Sequence, residues 1–276
     1  MRKLLLSVTL VCLCAGAGHA GTFAYGNKTI TYQIPDGYVS ADSHFGLTAV
    51  LAVMRAAQPP DQEIVIMYAA SSAMERFEKE GILERYFTIQ IAPSLKDRTL
   101  RAKDFGELKN FMKNAFGTRE VSAIKKQVNE MFEEKAGGAL KMKELKSLGC
   151  YAETGTSLSW LAISTQEIAG MNGTEAPEEM GMALNSTAVF TEGKVVSVNQ
   201  YKVIESGDDI EPFKNDAQAV FAEMAIPQDS NEGVLSALLG EGTLLRNVLV
   251  GAVVGGLVGG LGSLIISRLR GKKSKR

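Results

Sequence analysis

One histidine and two nearby acids are the residues with the clearest capacity for chemistry. His44 lies in the segment YVSADSHFG, with Asp42 and Asp36 upstream of it. The other histidine, His19, falls in a segment that we predict to be cleaved, so a triad or a histidine-rich metal site would depend on His44 alone. This spacing is not specific for a metal, and we predict none. A hydrolase acting through Asp36, Asp42 and His44 is the alternative interpretation.

Two other residues could act as nucleophiles. Ser122 and Lys125 match the S-x-x-K pattern, in which a lysine one helical turn away activates a serine. The match is short, no K-T-G or S-D-N motif accompanies it, and Lys126 follows, which favours a solvated helix face. Cys150 is the one cysteine beyond position 20, so we predict no intramolecular disulfide and a buried apolar role for it. The sequence predicts no catalytic residue and no cofactor, and leaves enzymatic activity open.

Glycines near the C-terminus form a regular pattern of a different kind. Gly251, Gly255 and Gly259 recur every four residues, and Gly256 and Gly260 form a second row one position further on. On a helix, such a glycine zipper lets another backbone approach closely, and packing then drives association inside a membrane. The partner would be a second copy or another membrane protein. The alternative is a lipid anchor that tolerates glycine.

The glycines lie in an apolar stretch that is long enough to cross a bilayer. Residues 248–266 contain no charged side chain, and a helix of this length measures about 28 Å, close to the hydrocarbon thickness. The tail at 267–276 carries six basic residues and no acid. Because basic flanks stay in the cytoplasm, we predict a transmembrane helix with its C-terminus inside, in contact with membrane lipid.

The N-terminus predicts export. Residues 1–20 combine Arg2 and Lys3, a short apolar run, and small residues at Gly18 and Ala20 before a cleavage site. The predicted organisation is a signal peptide at 1–20, an exported domain at 21–227, a juxtamembrane stalk at 228–247, the transmembrane helix and the cytoplasmic tail. The short signal suits a bacterium, so we expect an inner-membrane protein with a periplasmic domain.

The charge of the chain differs between these compartments. Of 30 basic residues, two belong to the signal and six to the tail, which leaves 22 against 31 acids and a net charge of 22 − 31 = −9 for the rest. An acidic domain disfavours nucleic acid and anionic lipid head groups as partners. We therefore expect no binding to nucleic acid.

The periodicity of apolar residues predicts the elements of the domain. A polar, glycine-rich segment at 170–185 is expected to be a surface loop. The predicted strands are 28–34, 45–54, 63–70, 85–92, 139–148, 157–168, 187–190 and 194–203. The predicted helices are 72–80, 104–116, 119–135 and 210–224. This order predicts an α+β fold with a mainly antiparallel sheet packed by helices.

A resemblance to a known family rests on this order and on one motif. Ile34-Pro35-Asp36-Gly37-Tyr38 closes the first predicted strand, as in PsbP/Mog1-like domains, and the late hairpin and closing amphipathic helix are similar too. The resemblance covers residues 29–226, and the segment at 170–185 departs from the family pattern. It implies a sheet sandwiched by helices that serves binding and assembly, and it maps no catalytic residue onto this chain.

The sequence as a whole favours a single-pass, membrane-anchored binding or assembly module. Besides the hydrolase, a structural membrane protein that acts through its glycine-rich helix is an alternative. We expect an apolar groove on the sheet if the chain is a binding module, and a pocket joining Asp36, Asp42 and His44 if it is a hydrolase.

Overall fold

The computed structural model describes residues 20–59, 61–115, 118–136, 140–168, 178–205 and 208–228, and within them the chain forms nine strands and five α-helices. The strands are β1 (Ala20–Tyr25), β2 (Lys28–Gln33), β3 (Tyr38–Ser40), β4 (Glu63–Ala70), β5 (Arg85–Ile91), β6 (Leu140–Glu153), β7 (Ser157–Ile168), β8 (Glu178–Thr191) and β9 (Lys194–Ile204). The helices are α1 (Phe45–Ala57), α2 (Met74–Glu80), α3 (Ala102–Ala115), α4 (Thr118–Ala136) and α5 (Glu211–Glu223).

Seven strands form one sheet in the order β3-β4-β5-β9-β8-β7-β6, and β1 pairs with β2 as a separate hairpin. Every neighbouring pair in the sheet is antiparallel. The predicted turn between β8 and β9 is confirmed, because Glu192 and Gly193 both have positive φ, as two-residue hairpin turns require. The α+β class and the antiparallel sheet are therefore confirmed.

Different elements cover the two faces of the sheet. On one face, the side chain of Gln200 in β9 donates to the Ala217 carbonyl of α5 at 2.7 Å. The hydroxyls of Tyr32 in β2 and Tyr68 in β4 also lie 2.9 Å apart there. α3 packs on the opposite face, against the side of β8 that carries Ala188. The sheet is thus a middle layer between α3 and the pair formed by α5 and the β1–β2 hairpin.

The outer edge of β6 is partly closed by α4. The Asn129 carboxamide accepts a hydrogen bond from the Met142 backbone N–H at 2.7 Å and donates to the Met142 carbonyl at 3.1 Å. One side chain thereby replaces the missing neighbouring strand at this position. Covering an edge in this way limits pairing with other chains.

Residues 45–54 form a helix, not the predicted buried strand. His44 begins α1 by accepting the Leu47 N–H on Nδ1 at 3.3 Å. The buried positions Leu47, Val50, Leu51 and Met54 recur with helical spacing, whereas Phe45 is exposed. A continuous apolar run fits a buried strand and a buried helix equally well. The 13-residue length of α1 is more typical of a helix than of a strand.

The predicted surface loop at 170–185 is also wrong where the structure describes it. β8 already begins at Glu178 and pairs with β7 from there to Val189, while residues 169–177 lie outside the described ranges. Its polar residue Asn185 is fully buried and accepts a hydrogen bond from Tyr151 at 2.5 Å. Glycine and polar residues suggested a loop because their partners in the core are distant in sequence.

Three strand assignments differ in smaller ways. β6 does not stop at Leu148, because it continues past Gly149 to Glu153, with register shifts that absorb the interruption. The periodicity also missed β1, which pairs only with β2, and the three-residue β3 at the sheet edge. β3 has only three residues, and alternation gives a weak signal for so short a strand.

The described residues contain no helix that is long and apolar enough to cross a membrane. The predicted transmembrane helix at 248–266, the tail at 267–276 and the five zipper glycines lie outside the described residues, as do all but the last residue of the predicted signal. The predictions for these segments remain predictions.

Candidate ligand-binding cleft

His44, the residue singled out for chemistry, is a helix cap in the structure. Its Nδ1 accepts the Leu47 N–H, its Nε2 lies 3.4 Å from Glu78, and its ring meets Phe77 edge-on at 6.0 Å. Because Nδ1 accepts, the proton of the neutral ring lies on Nε2, facing the Glu78 carboxylate. These contacts use both ring nitrogens to fix the start of α1.

The structure does not gather Asp36, Asp42 and His44 around a cation. Both aspartates are exposed, and the Asp42 backbone N–H donates to the Ser40 hydroxyl at 3.3 Å in the turn before α1. In the described part of the chain, no group of three or more His, Cys, Asp or Glu residues is placed to hold a metal ion.

The two candidate nucleophiles have other environments. Lys125 donates to the backbone carbonyl of Lys143 in β6, while Ser122 is exposed on α4. Cys150 is half-buried, and burial raises the pKa of its thiol despite the opposing charge of Lys113. A raised pKa keeps the thiol protonated at neutral pH, so Cys150 is a weak nucleophile.

A cleft of about 30 Å³ lies between α3 and the sheet face formed by β5, β8 and β9. Its wall is mainly apolar, with Leu108 and Met112 from α3, Ala188 from β8 and Leu95 from the turn after β5. Among the described residues that line it, none carries a charge. Small-molecule sites are usually apolar clefts with a few polar groups, but they measure about 300–1,000 Å³, so this cleft takes only a small part of such a ligand.

The polar wall of the cleft comes from neighbouring strands. Register places Gln90 of β5 opposite Ser197 of β9, and Ser197 opposite Ala188. Gln90 is 1% exposed; its Nε2 donates to the Thr88 hydroxyl at 3.3 Å, and its Oε1 has no hydrogen-bond partner. Gln62 also lines the cleft, but its Nε2 is already bonded to the Asp61 carbonyl at 2.6 Å. Of the polar side chains described in this lining, only Gln90 has a buried atom without a hydrogen-bond partner, its Oε1.

Two contacts hold α3 over the cleft. Phe105 is fully buried and stacks on Phe190 of β8, with ring centroids 5.5 Å apart and planes at 15°. Further along α3, Lys109 and Lys113 both pair with Glu153 at the end of β6, and the Lys109 Nζ lies 3.1 Å from the carboxylate. Lys109 also donates to the Thr154 carbonyl at 2.6 Å. An aromatic stack and an ion cluster thus position the two residues that α3 gives to the cleft.

The ion cluster predicts a pH dependence of stability. Hydrogen bonds from Lys113 and then Lys109 lower the pKa of Glu153 below its ordinary value. A carboxyl with a lowered folded-state pKa stabilises the fold above its unfolded pKa and loses that contribution as pH falls through the folded value. The difference in unfolding free energy between wild type and Glu153→Gln should therefore be present at pH 7, decline below about pH 4 and vanish once the pH is below the folded-state pKa. Urea unfolding at several pH values measures it.

A matched control for this prediction is Glu75→Gln. Glu75 pairs with Lys79 on the exposed surface of α2, and an exposed i,i+4 pair contributes little. Its substitution should change stability only slightly at any pH. A Glu153→Gln difference that persists unchanged at pH 3 would show that the side chain acts through packing and not through its charge.

Sequence reasoning missed Gln90 and Ser197. In the alternating strand RYFTIQI, Thr88 and Gln90 lie on the same side, and two polar residues on one side of a strand predict a solvent-exposed face. The structure buries that side beneath α3. The family resemblance implies a sheet with helices on both faces, and this could have indicated the site. When both faces of a sheet are covered, polar residues on either face lie inside the protein.

Comparisons with known proteins give a likeness in fold. No family model matches the chain, and no curated protein matches it. Among solved structures, the Saccharomyces cerevisiae Ran-binding protein Mog1p is 11% identical, with a TM-score of 0.27, and the match covers 88% of this chain and 94% of that one. A point mutant of protein Mog1 gives a TM-score of 0.30 at the same identity and coverage. Mog1 is thus among the solved structures that the chain resembles, and nothing about function follows from this likeness.

Proposed function

We propose that the protein is a membrane-anchored extracytoplasmic binding module. The observation that carries this proposal is the position of the folded unit between two hydrophobic segments. β1 begins at Ala20, the last residue of the predicted signal, and the described chain continues to Gln228. The charge-free stretch at 248–266 and its basic tail follow. Export and stop-transfer signals around one domain describe a single-pass protein with its C-terminus in the cytoplasm.

The predicted cleavage before Gly21 would remove only Ala20, which pairs with Gln33, from β1. Gly21 pairs with Tyr32, and a Cβ at position 21 would lie 2.2 Å from the tyrosine ring. The ring thus occupies the space of a side chain that glycine lacks. Removal of residues 1–20 leaves this pair intact, because both members belong to the hairpin that remains.

The binding role is supported by the cleft. The sequence predicted an apolar groove on the sheet for a binding module, and the cleft under α3 has this form. The pocket expected for a hydrolase would join Asp36, Asp42 and His44, and none of these three lines the cleft. Binding at this site, on a domain tethered to the inner membrane, is the function that the arrangement supports best.

Fractionation of bacterial cells tests the location. The full-length protein should stay with membranes in alkaline carbonate, and a chain truncated before Val248 should be released. A C-terminal epitope should resist protease in intact spheroplasts, whereas the domain should be digested once its fold is opened. Release of the full-length protein by carbonate, or digestion of the C-terminal epitope from outside, would contradict the proposal.

The glycine rows support self-association as a second element of function. Gly255→Ile should weaken oligomers, because a branched side chain at the centre of the zipper separates the two helix backbones. Crosslinking in membranes measures this, and Leu257→Ile, off the glycine row, is the matched control. An unchanged crosslinking ladder in Gly255→Ile would exclude the zipper as the interface.

The alternative of a protein acting mainly through its helix has its own test. Replacing residues 248–266 by polyleucine keeps the anchor and removes every glycine of the zipper. A variant that complements a deletion strain as well as wild type would exclude the helix as the effector. A loss of complementation with unchanged membrane association would favour it over the binding module.

A further inference from the structure

We propose that the cleft under α3 binds a small uncharged molecule that presents one hydrogen-bond donor to Gln90 Oε1. This inference deepens the proposed binding function and rests on it for its biological role. The site combines a cavity with a buried polar atom that lacks a partner. Buried acceptors in native proteins are nearly always bonded, so the orphaned oxygen of a residue that lines a cavity points to a hydrogen-bond partner bound there.

The orientation of Gln90 decides that the ligand donates. The Nε2 group of Gln90 is engaged by the Thr88 hydroxyl, which itself bonds to the Tyr201 side chain on the neighbouring strand. This short chain of hydrogen bonds fixes the carboxamide with its oxygen as the unused atom. A carbonyl oxygen only accepts, so the complementary group is a hydroxyl or an N–H.

The wall decides that the ligand is uncharged. The cleft offers apolar contact through Ala188, Leu108 and Met112. None of the described lining residues has a charged side chain that could pair with an ionised ligand. Burying an ionised group there would carry a large desolvation cost without compensation. A neutral donor on an apolar body is the chemistry that this cleft complements.

The volume sets the size of the part that enters. A cavity needs about 10–15 Å³ to hold one water molecule, so the 30 Å³ cleft accepts about two waters or a group of about two heavy atoms. A larger ligand therefore inserts only its donor end. Small probes that carry one polar end test the site directly.

Propan-2-ol and acetone form a matched pair of probes, because they have the same heavy-atom skeleton and only the alcohol donates. The experiment uses the full-length chain in dodecyl maltoside micelles, with ¹³C-labelled methionine methyl groups observed by NMR. Met112 lines the cleft and reports binding, and Met74 on α2 serves as the internal reference. Propan-2-ol should shift the Met112 signal saturably, with an affinity about fivefold higher than that of acetone, as one net hydrogen bond implies.

Two substitutions identify the group responsible. Gln90→Met keeps the size of the side chain and removes the acceptor, so the fivefold preference should disappear. Gln166→Met is the control, because Gln166 is equally buried at 1% exposure on β7 but does not line the cleft. Wild type that binds both probes equally, or a preference that survives Gln90→Met, would overturn the proposal, as would a Met112 signal that does not saturate.

A third variant keeps the test decisive if Gln90→Met fails to fold. Leu108→Phe enlarges a half-buried residue of the α3 wall, and it should abolish the response to both probes by filling the cleft. A Met112 response that persists in this variant would place binding elsewhere. The probe test and the carbonate test fail independently, because a chain that washes off membranes can still discriminate the alcohol from the ketone.

Discussion

Gly26→Ala is expected to lower the free energy of unfolding by about 3 kcal/mol. Gly26 has φ of +65°, a left-handed conformation that disfavours side chains. A Cβ there would also lie 2.0 Å from the Lys96 carbonyl oxygen. Because the obstacle is backbone, relief requires the whole segment to move. Urea unfolding followed by the fluorescence of Trp160, the single tryptophan, measures the change.

The Lys96 carbonyl cannot move freely, since the buried side chain of Lys194 holds its segment by hydrogen bonds. Lys194 is 1% exposed, and its ammonium donates to Lys96 O at 2.7 Å and to Arg98 O. Burial lowers the pKa of Lys194. A shift of the Lys96 carbonyl would therefore weaken the hydrogen bonds of a buried ammonium.

Gly37→Ala is the control that separates conformation from collision. Gly37 has φ of +76°, but a Cβ there would meet no atom within 4 Å. Its substitution should lower the free energy of unfolding by about 1 kcal/mol, which is the effect of the left-handed conformation alone. Equal losses in the two variants would mean that the segment at Lys96 yields easily and that Lys194 does not hold it.

The sequence predicts elements well where local chemistry decides the outcome. The β8–β9 hairpin follows from Thr191-Glu192-Gly193, and α5 begins close to the predicted position because Asp209 accepts the Glu211 N–H at 3.0 Å. Gly81, directly after the predicted helix at 72–80, adopts a left-handed φ of +77° and ends α2. In each case the deciding residues lie within a few positions of one another.

Predictions fail where the deciding partner is distant in sequence. Asn185 makes 178–185 resemble a loop, yet its side-chain oxygen accepts a hydrogen bond from Tyr151 on another strand. Gln90 resembles a solvated strand residue until α3 is placed above it. The same limit applies to the candidate site, because a cleft made of β5, β8, β9 and α3 exists only through register and helix docking. The alternation of residues within one strand gives no information on register or on helix docking.

The predicted membrane segments present the opposite case. Residues 248–266 need no tertiary partner to be interpreted, because length, absence of charge and the basic flank are sufficient. Location is therefore argued from sequence, and ligand chemistry from structure. The two halves of the proposed function rest on independent observations, and each has its own experiment.

Phe105→Ala is expected to lower the free energy of unfolding by about 4 kcal/mol, within the range for truncating a buried phenylalanine. The ring is 0% exposed and loses its stacking on Phe190 together with the contact of Lys109 above it, whose Nζ lies 5.6 Å from the ring centre. Urea unfolding measures the loss. Phe45→Ala is the matched control, since Phe45 is 77% exposed and its truncation should change stability by less than about 0.5 kcal/mol.

The same variant tests whether α3 must be seated for the cleft to exist. Phe105 lies one helical turn before Leu108 and two before Met112, so loss of its stack should loosen the wall that these residues form. Phe105→Ala should therefore lose the preference for propan-2-ol at temperatures where most molecules remain folded. A variant that is destabilised but keeps the full preference would show that the ion cluster at Glu153 alone holds α3 over the sheet. In that case Glu153→Gln, and not Phe105→Ala, should abolish discrimination between the two probes.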